Sequence, residues 1–120
     1  MTYFDSFVLP LSPERKDAYI AMAEKFRDFL RTAGALDYFE AIAEDVPHGE
    51  TTDFYRAVNA EKGETVVISY TRWPDKKTRD AAWAAMMEDP QFKDMKPEDM
   101  PFDGRRMFWG GFDPIISLND

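Results

Sequence analysis

The residues of this sequence that could do chemistry lie in stretches that are otherwise apolar. Asp5 lies in "YFDSFVL", Ser69 in "ETVVISYTRW", and Arg105 and Trp109 in "RRMFWGGF". A polar side chain in such a strand either sits at a strand end in water or points into an enclosed space, where it needs a partner. An enclosed apolar space with few polar groups is typical of a small-molecule site. We therefore predict that these residues bind a ligand; the alternative is hydrogen bonding across an interface between two copies of the chain.

The stretch "PFDGRRMFWGGF" allows a sharper version of this prediction. Asp103–Gly104 is typical of a turn, so we expect the last strand to run from about Arg105 to Phe112. Strand alternation would place Arg105 and Trp109 on one face, where the guanidinium would favour an anionic ligand such as a carboxylate. Gly110–Gly111 indicates a bulge or the close approach of another group. The alternative is that Arg105 pairs with a surface acid while Trp109 packs beneath a helix.

Several kinds of catalytic and cofactor site do not fit the sequence. It contains no cysteine, which excludes thiol catalysis and thiolate metal sites. The single histidine, His48, lies in the turn "DVPHGE", which favours a surface residue over a metal or haem ligand. Acidic residues cluster around the predicted second strand with a spacing unlike that of calcium loops, so we predict a solvated acidic face. The cluster comprises Glu40, Glu44, Asp45, Glu50 and Asp53. We expect neither a metal nor a cofactor.

The charge of the chain argues against polyanionic partners. Its 15 basic residues are scattered among 23 acidic ones, for a formal net charge of −8. Nucleic-acid-binding proteins normally present a basic face, so we expect no nucleic acid and no anionic membrane surface as partner. No apolar run reaches the roughly 18 residues of a membrane span, and the first residues do not resemble a signal peptide. These features predict a cytoplasmic protein.

The elements that must position the candidate residues alternate between strand and helix patterns. Strands are predicted at residues 3–9, 36–43, 64–73 and about 105–112, and helices at 13–33 and 75–89. Ser12 is a natural N-cap for the first helix and Gly34 a natural stop. Residues 53–60 are ambiguous, and 90–101 are predicted to be irregular. Aromatic residues and methionines at helical spacing are interpreted as core.

This order predicts an α+β protein with the ferredoxin-like βαββαβ arrangement and a four-stranded antiparallel sheet, in one domain over residues 1–120. Two helices cover only one face of such a sheet. The third predicted strand nevertheless places Val66, Ile68 and Tyr70 on one side and Val67 and Trp73 on the other. A face of this kind exposed to water would exceed the apolar patches that monomers usually tolerate. We therefore predict a homodimer in which a second copy covers it.

The segments "FVLPL", "ETVVISYTRWP" and "MPFDGRRMFWGGF", together with Asp53–Phe54 and Arg56–Val58, resemble the YbaA-like family of uncharacterised bacterial proteins. That family is similar in fold to the dimeric α/β barrels, in which two ferredoxin-like protomers pack sheet against sheet around a barrel interior. The resemblance implies this fold but brings no established catalytic residues. We expect a homodimer whose inter-sheet cavity binds a small molecule. The alternative is a cofactor-free oxygenase or isomerase of the same barrel kind, with Asp5 or a tyrosine activating the substrate; whether the protein is an enzyme stays open.

Overall fold

The sheet is built from four strands, and the computed structural model describes residues 2–118. The strands are β1 (Tyr3–Leu11), β2 (Asp37–Ile42), β3 (Thr65–Trp73) and β4 (Phe108–Phe112). β1 and β3 are rich in β-branched and aromatic residues, which favour extended backbone. They pair antiparallel over their full length, from Tyr3 opposite Trp73 to Leu11 opposite Thr65.

Four α-helical segments connect the strands: α1 (Lys16–Ala33), α2 (Phe54–Ala57), α3 (Lys76–Glu88) and α4 (Pro90–Lys93). α1 ends at Gly34, whose φ of 101° is the left-handed conformation that glycine adopts at little cost. α3 begins after Asp75, whose side chain accepts a hydrogen bond from the backbone N–H of Thr78. These caps agree with the helix ends predicted from the sequence.

The spatial order of the strands is β2-β3-β1-β4, and every neighbouring pair is antiparallel. Together with the two long helices between the strands, this confirms the α+β class and the ferredoxin-like arrangement. Residues 2–118 also contain three single-turn 3₁₀ helices, at Pro13–Arg15, Pro97–Asp99 and Gly104–Arg106. Ser12 is the N-cap residue of the first of them, as predicted, with extended backbone and Pro13 after it, but its side chain makes no capping hydrogen bond.

The two faces of the sheet have different surroundings. The helix face carries the odd-numbered side chains of β1 and β3, and Leu9 and Val67 pack there with Tyr19 of α1. The opposite face, which we call the open face, carries the even-numbered ones. At one end of the open face Val8 and Val66 pack against Val58, which follows α2. The rest of the open face has large apolar side chains in contact with solvent. They include Phe39, Ile68, Phe108 and Phe112.

The last strand differs most from its prediction. β4 begins at Phe108, because Asp103 accepts a hydrogen bond from the backbone N–H of Arg105 and starts a 3₁₀ turn over Gly104–Arg106. Arg105 therefore precedes the strand, and the prediction that it shares a strand face with Trp109 is wrong. The ladder between β1 and β4 is continuous from Phe4 opposite Phe112 to Val8 opposite Phe108. No bulge interrupts it at Gly110–Gly111.

Candidate functional site

A cavity of about 320 Å³ lies between the helix face of the sheet and the helices that cover it. Its floor is formed by β1, β2, β3 and β4, and its walls by α1, α3, α4 and the segment 95–107. Most of the lining side chains are aromatic or methionine. The lining comprises Phe7, Leu9, Tyr19, Met22, Phe26, Glu40, Ser69, Trp83, Met86, Phe92, Met95, Met100, Phe102, Met107 and Trp109. This cavity lies within a single chain, on the helix face of the sheet, and is therefore a different space from the inter-sheet cavity predicted from the sequence.

A stack of three rings forms one wall of the cavity. The ring of Trp109 lies 4.6 Å from that of Trp83 and 6.1 Å from that of Phe7, measured between centroids. Trp109 is 50% exposed, which places it at the rim of the cavity. It thus packs against the helix layer, which was the alternative considered for it, and it also lines the cavity.

Five of the seven methionines of the sequence line the cavity. Methionine side chains are unbranched and polarisable, so they can adapt to apolar ligands of different shape. Their interpretation as plain core residues was incomplete, because helical spacing shows which side faces the sheet but not whether packing there is complete.

Asp5 lies beside the cavity, but its carboxylate is fully engaged. Its Oδ2 atom accepts hydrogen bonds from the indole N–H groups of Trp73 at 2.9 Å and Trp83 at 3.1 Å. Its Oδ1 atom lies 2.9 Å from a terminal guanidinium nitrogen of Arg79. Asp5 is 1% exposed and does not line the cavity. Its role is to pair with Arg79 and orient two indole rings, so the prediction that it binds a ligand is wrong.

Gly111 explains the glycine pair of the last strand. A Cβ atom at this position would lie 2.3 Å from the Tyr3 hydroxyl and 2.9 Å from a guanidinium nitrogen of Arg79. The close approach expected at Gly110–Gly111 is therefore present, and the approaching groups are the side chains of Tyr3 and Arg79.

Ser69 is buried and lines the cavity. Within residues 2–118 its hydroxyl has no hydrogen-bond partner of normal geometry, and neither has that of Thr71. Buried polar groups are nearly always paired, so an unpaired hydroxyl at a cavity wall is available to a ligand. Ser69 is the predicted site residue whose position best fits the original prediction.

Glu40 is the residue that sequence reasoning missed. Its Oε1 atom accepts a hydrogen bond of 2.7 Å from the hydroxyl of Tyr19, and its Oε2 atom accepts one from the hydroxyl of Tyr38. Burial raises the pKa of the Glu40 carboxyl, while the hydrogen bonds from Tyr38 and Tyr19 oppose this effect. Ser69 also lowers the pKa of Glu40, although the two side chains form no hydrogen bond of normal geometry.

The other members of the predicted acidic cluster behave differently from Glu40. Glu44, Asp45 and Glu50 are exposed, as a solvated face requires. Asp53 caps α2 by accepting a hydrogen bond from the backbone N–H of Arg56, which is the main cause of its lowered pKa. The cluster therefore splits into surface residues, a helix cap and one cavity carboxylate.

The two adjacent arginines have separate roles. Arg105 is 92% exposed and its guanidinium lies 3.3 Å from Asp103, so it pairs with a surface acid and does not reach the cavity. Arg106 donates two hydrogen bonds to the carboxylate of Glu64, at 2.6 and 2.9 Å, and a further one to the backbone oxygen of Asn59. Arg106 thereby anchors the segment before β4, whose residues Phe102 and Met107 line the cavity.

We expect Arg106→Gln to lower the free energy of unfolding by roughly 1.5–3 kcal/mol, the usual contribution of hydrogen bonds to charged groups. Arg105→Gln is the matched control and should change stability much less, because the Arg105 side chain is almost fully exposed. Urea denaturation of both variants tests this. Equal destabilisation by the two changes would contradict the anchoring role of Arg106.

Within residues 2–118 the structure contains no helix of the length and apolarity that crossing a membrane requires. In the same part of the chain, no three His, Asp or Glu side chains lie close enough together to hold a metal ion. His48 stacks on Tyr55 with 4.4 Å between ring centroids, and its Nδ1 atom lies 3.7 Å from Asp53.

Residues 2–104 match the family described as "Protein of unknown function (DUF1428)". The chain belongs to this family. It is 48% identical over 116 residues to the uncharacterised protein YbaA of Escherichia coli K12, a match that covers 97% of this chain and 98% of YbaA. The identity with the YbaA protein of Shigella flexneri is the same. The resemblance of the sequence to YbaA-like proteins is thus confirmed.

Solved structures share the fold at low sequence identity. A dimeric ferredoxin-like protein from an uncultured marine organism has a TM-score of 0.64 at 11% identity, covering 98% of this chain and all (100%) of that one. An antibiotic biosynthesis monooxygenase has a TM-score of 0.56 at 15% identity, covering 97% of this chain and 100% of its own. At these identities the likeness concerns the fold alone, and confirms it.

Proposed function

We propose that this protein is a homodimer that binds a small, largely apolar molecule with a hydrogen-bond donor in the cavity between its helices and sheet. The observation that carries the proposal is the cavity itself. It has a volume of about 320 Å³, aromatic and methionine walls, and a few polar groups that include Glu40 and Ser69. Small-molecule sites are typically apolar clefts of roughly 300–1,000 Å³ with a few placed polar groups.

The polar groups favour a donor-bearing ligand over the carboxylate first expected. That expectation depended on Arg105, which lies outside the cavity lining. Among the lining residues within the described chain, Glu40 is the one carboxylate. A negative charge in an apolar wall repels an anion and attracts a hydroxyl or N–H donor, and the interaction is strong where water is scarce.

The homodimer part of the proposal is supported by the open face. Phe39, Ile68, Phe108 and Phe112 are all exposed there, and the ring of Phe4 stacks on that of Tyr70 beside them. A contiguous patch of this kind is uncommon on monomers. A second copy is the occupant we propose, because the structurally similar marine protein is described as a dimeric ferredoxin-like protein.

A cytoplasmic location belongs to the same proposal and is supported by the lack of cysteine in the sequence.

A matched pair of ligands tests the cavity. We expect 2-naphthol to bind at least about tenfold more tightly than 2-naphthoate, a difference of about 1.4 kcal/mol, because Glu40 accepts a hydrogen bond from the phenol and repels the carboxylate. Isothermal titration calorimetry measures both affinities. In Glu40→Gln the preference should shrink, whereas Glu44→Gln, which changes an exposed carboxylate, should keep it.

Two results would contradict this proposal. The donor-bearing ligand would be the wrong class if 2-naphthoate bound as tightly as 2-naphthol to the unaltered protein. Absence of binding by either compound at millimolar concentration would remove the case for a small-molecule cavity.

For the enzyme alternative, the sequence suggested Asp5 or a tyrosine as the group that activates the substrate. Asp5 cannot activate a substrate, because its oxygens are held by Arg79, Trp73 and Trp83. The similar monooxygenase supports this alternative only through its fold, and one fold carries many activities. The specific observation that favours an enzyme is a carboxylate, Glu40, in an apolar cavity wall.

A further inference from the structure

Glu40 is held in place by neutral groups from two elements. Tyr19 of α1 and Tyr38 of β2 each donate a hydrogen bond to a different oxygen of its carboxylate. A carboxylate oxygen can accept more than one hydrogen bond. Both oxygens therefore keep an acceptor position, and because Glu40 lines the cavity, a ligand there can reach the carboxylate.

The surroundings of Glu40 increase its strength as a base. Burial is the largest influence on the pKa of its carboxyl and raises it, while the hydroxyls of Tyr38 and Tyr19 lower it and so keep the carboxylate form accessible. Arg27 of α1 is a charged group near this cluster, and its positive charge lowers the pKa of Tyr38. A carboxylate whose pKa lies closer to neutrality is a better general base.

Ser69 supplies a hydrogen-bond donor that complements the carboxylate of Glu40. Ser69 lies on β3 directly opposite Glu40 of β2 in the sheet register, and within residues 2–118 its buried hydroxyl makes no hydrogen bond of normal geometry. A hydroxyl in this position can donate a hydrogen bond to an oxygen that becomes negative when a proton leaves the ligand.

We propose that Glu40 is a general base that moves a proton on a small enolisable carbonyl compound bound in the cavity, so that the protein catalyses a tautomeric isomerisation. The C–H bond next to the carbonyl breaks, and its proton goes to a free acceptor position of the Glu40 carboxylate. The electron pair of that bond forms the C=C bond of an enolate, whose oxygen is stabilised by the Ser69 hydroxyl. Glu40 then returns the proton to another atom of the same molecule. The reaction balances without an oxidant or a cofactor, and it rests on the cavity binding proposed above.

The test uses a probe that reports proton removal by a carboxylate in an apolar site. 5-Nitrobenzisoxazole loses its ring C–H proton to a base; the electron pair forms a nitrile as the N–O bond breaks, and a coloured nitrophenolate appears. We expect the protein to accelerate this reaction and Glu40→Gln to lose about 100-fold or more of the acceleration, the usual contribution of a general base. Glu44→Gln should retain the rate of the unaltered protein.

The pH profile separates a base from a merely structural residue. The rate should fall as pH decreases through the pKa of Glu40, because the protonated carboxyl accepts no proton, and the midpoint should lie above the ordinary value of 4.5. Tyr38→Phe removes a hydrogen bond that stabilises the carboxylate, so it should move the midpoint to higher pH. A midpoint unchanged by Tyr38→Phe would overturn the positioning role of Tyr38.

Calorimetry with the same probe distinguishes a failure of the proton-transfer inference from a failure of the binding proposal. If the probe binds but the unaltered protein does not accelerate its conversion, or if Glu40→Gln reacts equally fast, the proton-transfer inference is wrong while the binding proposal stands. If neither this probe nor 2-naphthol binds, the proposed function fails and the inference fails with it.

Discussion

Asp5→Ala is expected to lower the free energy of unfolding by about 3–5 kcal/mol, the usual cost of removing one partner from a buried ion pair. The change leaves the Arg79 guanidinium, which is only 13% exposed, without its main carboxylate. It also leaves the indole N–H groups of Trp73 and Trp83 without the acceptor they share. Domains of this size are stable by only about 5–15 kcal/mol, so this loss is a large fraction of the total. The variant should therefore unfold at a much lower urea concentration than the unaltered protein. Urea denaturation followed by tryptophan fluorescence measures this.

Two further variants make the result specific. Asp28→Ala removes a carboxylate that pairs with Arg27 and Arg31 on the exposed side of α1, and it should change stability by less than about 0.5 kcal/mol. Asp5→Asn keeps an acceptor oxygen and should lose less stability than Asp5→Ala. Should Asp5→Ala prove no more damaging than Asp28→Ala, the account of Asp5 as the centre of a buried network is wrong.

The sequence predicted the strands and long helices well because their signals are local. β3 is a run of β-branched and aromatic residues closed by Trp73–Pro74, and α1 has an apolar stripe that stops at Gly34. The last strand was placed too early because Asp103–Gly104 was interpreted as a tight turn alone. The turn in fact continues for three residues as a 3₁₀ helix that Asp103 caps. Both arginines lie in this helix and therefore precede the strand.

The site was harder to predict because it depends on contacts between distant elements. Glu40 stands between Phe39 and Ala41 in a short edge strand, which looks like a solvated position. It is only half-exposed, and Tyr19, which lies 21 residues earlier in a helix, donates a hydrogen bond to it. The one local signal was the two-residue spacing of Tyr38 and Glu40, which puts both on the same face of β2. The cavity itself could not be inferred, since it exists where the aromatic and methionine side chains fail to fill the space between the layers.

Substitutions at two adjacent residues of β3 distinguish an effect on folding from an effect on the proposed dimer. Val67 is 3% exposed on the helix face, whereas Ile68 is 37% exposed on the open face. Val67→Glu buries a charge in the protein core and should prevent folding. Ile68→Glu leaves the core intact but places an unpaired charge in the proposed interface of each protomer. It should weaken the dimer by about 3 kcal/mol or more, which is over a hundredfold in the dissociation constant.

Light scattering at micromolar concentration, together with circular dichroism, measures the two outcomes. The unaltered protein should have twice the 13.9 kDa mass of the chain. Ile68→Glu should have the mass of one chain and an unchanged circular dichroism spectrum, while Val67→Glu should lose the spectrum of the folded protein. Ile20→Glu is the matched control, because Ile20 is an exposed isoleucine of α1, on the opposite side of the sheet from the open face. It should remain a dimer. If the unaltered protein proves monomeric, or if Ile20→Glu and Ile68→Glu dissociate it equally, the open face is not the interface.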